Sequence, residues 1–152
     1  MNERDQLLFA DLSLGVVSAG YEHILAERIG LSGAVGIYGP WYIDRPVDIF
    51  AFNAEFRVFW YILGTASKAQ LYVSPAFRLG RPRADDDGRT LKGISYAPRV
   101  SAGGTFRFGH FFFRLGIGIQ HENVDLDRRA TGESVDIHRV TPVVDAYVGA
   151  AF

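Results

Sequence analysis

The sequence predicts an all-β fold: an eight-stranded antiparallel up-and-down transmembrane β-barrel. Three observations predict it. Apolar and polar residues alternate with a period of two through one segment after another, as a strand between an apolar and a polar medium requires. The alternation runs to the last residue: Val140, Pro142, Val144, Ala146, Val148, Ala150 and Phe152 are apolar, while Arg139, Thr141, Asp145, Tyr147 and Gly149 on the other parity are mostly polar or small. Charged residues fall opposite the aliphatic and aromatic ones, so one strand face calls for a polar interior and the other for lipid.

The 152 residues suit a single barrel domain, 1–152, with a flexible terminus over 1–6. No run approaches the roughly 18 consecutive apolar residues of a spanning helix, whereas a barrel conceals its hydrophobicity in alternation. The net charge of −1 and the scattered arginines give no nucleic-acid surface. Absence of cysteine removes disulfides and thiolate metal sites. The chain has no phosphate loop, dinucleotide fingerprint, zinc-ligand spacing or nucleophile elbow, so neither cofactor nor metal is expected. Met1 to Gln6 is polar and Asp11 interrupts the apolar stretch that follows, so the opening residues do not read as a secretory signal. The expectation is an exported chain from which the signal peptide has been removed.

Taken in order, the first segment, Leu7 to Leu25, changes face partway. Leu8, Leu12 and Leu14 oppose Asp11 and Ser13, then Val17, Ala19 and Tyr21 oppose Ser18, Gly20 and Glu22. A reversal of face needs an extra residue or a turn, and a tight turn near Gly15 to Val17 makes two short strands of it. From Ile29 to Gly39, Ile29, Leu31, Val35 and Ile37 oppose small residues. From Asp48 to Trp60, Phe50, Phe52, Ala54, Phe56, Val58 and Trp60 oppose Asn53, Glu55 and Arg57. From Gln70 to Arg81, Leu71, Val73, Phe77 and Leu79 oppose Gln70, Tyr72, Ser74 and Arg78. From Ile94 to Phe108, Tyr96, Val100, Phe106 and Phe108 oppose Arg99, Ser101, Thr105 and Arg107. From Phe111 to Val124, Phe113, Leu115, Ile117 and Ile119 oppose Arg114, Gly116, Gly118, Gln120 and Glu122.

Connectors at 26–28 and 109–110 are short and that at 61–69 is intermediate, whereas 40–47, 82–93 and 127–137 are longer and carry Pro, Gly and charge. Short turns at the periplasmic side and longer external loops orient such a barrel. Trp60, Tyr61, Phe106, Phe108 and Phe111 at one end, with Trp41 and Tyr42 at the other, are expected in interfacial girdles.

On this parity the lumen holds Asp11, Glu22, Glu55, Glu122 and Asp145 together with Arg57, Arg78, Arg99, Arg107, Arg114 and Arg139. Eight strands enclose an interior that side chains just fill, so these groups are expected to form a paired network and not an ion pathway. Arginine suits that network because its planar fork holds carboxylates bidentately. Asp85-Asp86-Asp87-Gly88 lacks the alternating acids and distant Glu of a calcium loop and reads as a solvated tip.

The weak catalytic candidate is His121, at the outer end of its strand with lipid-facing parity. It resembles the lipid A 3-O-deacylases, eight-stranded outer-membrane barrels with an outward catalytic His followed two residues later by the nucleophilic Ser. Here that position is Asn123, which cannot be a nucleophile; Glu133 and Ser134 are the nearest stand-ins, in an expected loop. An interfacial histidine without catalytic role is the plainer reading.

The stretch Leu12 to His23, with Gly20-Tyr21-Glu22, and the terminal Phe152 resemble small bacterial outer-membrane β-barrel proteins of uncharacterised function. The resemblance implies outer-membrane location and insertion by the barrel-assembly machinery, which reads the last strand through Phe152, Ala150 and Val148. It brings no enzymatic activity. The expected function is a monomeric integral barrel among outer-membrane lipid and lipopolysaccharide, with a structural or surface-binding, adhesive role and no catalysis. The alternatives are a soluble lipocalin-like barrel with an apolar ligand in its mouth and a lipid A-modifying enzyme built on His121.

Overall fold

The computed structural model describes residues 6–13, 15–39, 48–62, 69–86, 89–128 and 133–152. Eight strands follow one another around a closed barrel: β1 (Gln6–Asp11), β2 (Val16–Ala26), β3 (Ile29–Tyr38), β4 (Asp48–Tyr61), β5 (Ala69–Asp86), β6 (Arg89–Phe108), β7 (Phe111–Arg128) and β8 (Glu133–Ala151). Every neighbour is antiparallel, and β1 against β8 completes the circle with Leu7 opposite Ala151 and Asp11 opposite Tyr147. The face change in the first segment is a turn. Val16 N–H donates to the Ser13 carbonyl at 2.9 Å, and Gly15 takes φ +75°, a conformation open to glycine at little cost.

The oily parity faces outward and the charged parity inward. Ile117 is 72% exposed and Val35 66%, whereas Arg57 is 1% and Asp145 0% exposed. A lipocalin-like barrel requires the reverse, an apolar interior under a polar surface, so this alternative does not describe the chain.

The short turns, Glu27–Arg28 and Gly109–His110, lie with Gln6 and Phe152 at one end of the barrel, hereafter the turn end; the other is the hairpin end. The strands differ in length: β1, β2 and β3 have 6, 11 and 10 residues, and β5 to β8 have 18, 20, 18 and 19. The stretches 82–93 and 127–137, expected as loops, are largely strand: Arg83 pairs with Lys92, Asp85 with Thr90, Asp86 with Arg89 and Asp127 with Ser134. There the ladder continues while polar residues fall on both parities, so the alternation that marks strands elsewhere is lost. The acidic tip thus begins as a paired strand end. Asp87 and Gly88 lie outside the described residues, as do Trp41 and Tyr42.

Prolines punctuate these long strands. The β4–β5 ladder skips 58–59 against 74–75, β5–β6 skips 81–82 against 93–94, and β6–β7 skips 97–98 against 121–122, the register resuming unchanged each time. Each gap contains one proline, Pro75, Pro82 or Pro98, which has no N–H to give. At the first gap the Ser74 hydroxyl donates to the Val58 carbonyl at 2.7 Å. The fourth, Pro142, pairs normally with Ile119 on β7. Its ring nitrogen points the other way, to the edge of β8 that rises above β1, where a missing donor discourages pairing with foreign strands.

Candidate functional site

The lumen is filled in three tiers. At the turn end Arg114 is fully enclosed. Its guanidinium donates to Glu22 Oε2 at 3.0 Å, to the Tyr61 hydroxyl at 2.6 Å and to Thr105 Oγ1 at 2.9 Å, while Tyr61 O–H donates to Glu22 Oε1. The guanidinium carbon lies 3.9 Å from the ring centre of Phe59, and the rings of Tyr61, Tyr72, Phe112 and Tyr147 stand within 5.8 Å. Gly116 makes room for this cage, since a Cβ there would overlap the Tyr72 hydroxyl.

The aromatic tier corrects two expectations. Tyr61, assigned to a girdle and a connector, is the final residue of β4 and is wholly buried in the lumen. The interior is also not polar throughout: Leu7, Phe9, Ile24, Phe59, Phe112 and Ala151 join the tyrosines in a core at this end.

In the middle tier three arginines share two carboxylates. Glu55 accepts from Arg57 at 2.9 Å, Arg78 at 2.8 Å and Arg99 at 3.2 Å; Asp145 accepts from Arg57 at 2.8 Å and from Arg99. Arg57 and Arg99 therefore bridge both acids, and Arg57 adds a bond to Ser101 at 3.3 Å. Asp11 stands apart, accepting from the Ser13 backbone N–H at 2.9 Å and from the Ser13 hydroxyl. Its carboxylate therefore fastens the β1–β2 turn.

Nearer the hairpin end Glu122 accepts from Arg139 at 2.7 Å and from the Tyr38 hydroxyl at 2.5 Å. Arg107 has inward parity on β6, opposite Phe112 in the ladder. A void of about 10 Å³ between Ser13, Tyr38, Arg78, Arg99 and Gln120 falls at the lower limit of the space needed for one water. The tiers thus place interlocked side chains along the lumen where an aqueous path would have to run.

His121 is exposed on the outward face beside the ladder gap opposite Pro98. Its Nδ1 lies 3.2 Å from Asn123 Nδ2, and Asn123 Oδ1 lies 2.6 Å from His138 Nδ1. Asn123 is buried between them. Its amide donates to His121 Nδ1 and its carbonyl accepts from His138 Nδ1, which fixes the ring faces without supplying a nucleophile. Ser134 and Glu133 lie in β8, and the ladder places Val140, not Ser134, opposite His121. Six strand positions separate the two, about 20 Å along the strand. At the chain's end Val148 and Phe152 are outward, and Phe152 N–H donates to the Gln6 carbonyl at 3.0 Å, stitching the last residue to the first strand.

No protein-family model matches the chain, and no curated protein sequence does. Among solved structures the chain is similar to the N-terminal β-barrel domain of Pseudomonas aeruginosa OprF, with a TM-score of 0.71 and 11% identity over 99% of this chain and 100% of that one. It is similar also to Neisserial surface protein A, NspA, with a TM-score of 0.67 and 11% identity over 97% and 94%. Both are bacterial outer-membrane barrels of eight strands, and the fold of this chain is theirs.

Proposed function

We propose that the chain is an integral barrel of a bacterial outer membrane that carries its long hairpins above the surface in a structural or surface-binding, adhesive role. The observation that carries this reading is the reversal of the usual distribution: aliphatic and aromatic side chains form the outer surface and ion pairs the interior. In the lumen the charges find partners that offset their desolvation, and lipid removes the belt from water. A tilted strand crosses a bilayer in about 9–11 residues. Strands β5 to β8 exceed that on the hairpin side, which makes this the external side. The barrel-assembly machinery is the partner that inserts it, through the strand ending at Phe152, and a monomer suffices because the barrel has no partner-dependent closure.

The reading is non-catalytic, supported by Asn123 in the nucleophile's place. His121→Ala should leave the lipid A profile of expressing cells unchanged, and loss of a deacylated species would revive the enzyme. The membrane assignment is tested by extraction and gel mobility. The chain should need detergent, and unboiled and boiled samples should migrate differently on a denaturing gel. A monodisperse preparation without detergent would contradict it.

A further inference from the structure

The outward face of β3 to β6 carries a groove of about 710 Å³. Its floor is Ala54, whose ladder neighbours are Val35 on β3 and Leu79 on β5. A methyl group between larger side chains leaves a hollow, which Ile37, Phe52 and Ile94 prolong toward the hairpin end. The lining is almost entirely apolar until Arg81, the ladder partner of Phe52. Pro82 opens the β5–β6 ladder at this point, so Arg81 and Ile94 flank a gap with no backbone bonds across it.

Beyond the gap Arg83 and Lys92 stand directly opposite one another, both exposed. Like charges in that position repel, and no ion pair joins Arg81, Arg83 or Lys92 to a described residue. On its other side Lys92 pairs in register with Asp127, and the groove residue Ile94 with the exposed Asp125, so the positive field is that of the two arginines on β5. An oily hollow that ends in crowded cations matches an acylated anion: the chain fills the hollow and the anion relieves the repulsion.

We infer that this groove binds one acylated phosphate monoester lipid of the outer leaflet, with an acyl chain over Ala54 and a phosphate among Arg81, Arg83 and Lys92. The inference rests on the membrane placement proposed above, which sets these cations at the outer headgroup level. A phosphate monoester carries about −1.5 to −2 charges, more than the phosphodiester of a phospholipid. A zwitterionic lipid brings an ammonium of its own to the three cations. The monoester lipid is therefore preferred.

Native mass spectrometry of the full chain refolded in detergent tests this, with bis-phosphorylated lipid A, phosphatidylglycerol and phosphatidylethanolamine added at equal concentration. Lipid A should be retained in preference to both. Removing two headgroup-level cations in the double variant Arg81→Ala with Arg83→Ala should weaken its retention about thirtyfold. Ala54→Phe fills the hollow from outside and should abolish retention while the heat-dependent gel shift persists. His121→Ala, on the β7 face, should retain lipid A as the parent does. Equal retention of phosphatidylglycerol, or parental retention by the double variant and by Ala54→Phe, would overturn the site while leaving the barrel intact. A chain whose gel mobility ignores heating fails at the membrane assignment, and the site falls with it.

Discussion

Arg114 and Arg57 are both buried guanidiniums on the inner wall, but their surroundings differ. Arg114 has one carboxylate, Glu22, and a cage of five aromatic rings. Arg57 has two carboxylates, Glu55 and Asp145, each of which also serves Arg99. The difference teaches how a narrow lumen tolerates charge. At the turn end, neutrality depends on a single pair within an apolar core; in the middle it is shared, so that Arg57 and Arg99 each reach two acids.

The comparison breaks most visibly at Glu22. Glu22→Gln leaves Arg114 charged and uncompensated among rings, and it should destabilise the barrel by about 3–5 kcal/mol, measured by urea unfolding in lipid vesicles. Asp145→Asn is the matching change in the middle tier. Because Glu55 still reaches both Arg57 and Arg99, the cost should fall to about 1–3 kcal/mol. If the two variants lost equal stability, the contrast between a lone pair and a shared network would be wrong. Arg139→Ala sharpens the series at its weak end. That side chain is 24% exposed, and Glu122 keeps its bond from Tyr38, so the same assay should read about 1 kcal/mol or less.

Strand number, closure and the inward or outward direction of the alternating segments were legible because the two media impose a period of two. The turn at Gly15 was legible as a change of parity. Three things were not. The upper hairpins carry polar residues on both parities, so nothing in the pattern distinguishes ladder from loop there. The aromatic cage was hidden because Phe59, Phe112 and Tyr61 are as oily as the outward belt, and only the three-dimensional narrowing around Arg114 gives rings an inside role. The histidine pair was missed because His121 and His138 lie far apart in sequence and meet through Asn123 across the β7–β8 ladder. The prolines did mark real events, the gaps in the ladder, although which neighbour each one faces emerges only from the register.

The central claim is that the aliphatic belt faces lipid around the whole barrel, and single cysteines in this cysteine-free chain test it most directly. Phe56→Cys, Ile117→Cys and Val144→Cys, on three different strands, are spin-labelled after reconstitution into vesicles and exposed in turn to oxygen and to a water-soluble nickel chelate. The account predicts that oxygen relaxes all three labels strongly and the chelate barely reaches them. Strong relaxation by the chelate at these positions would place the belt in water and contradict the account.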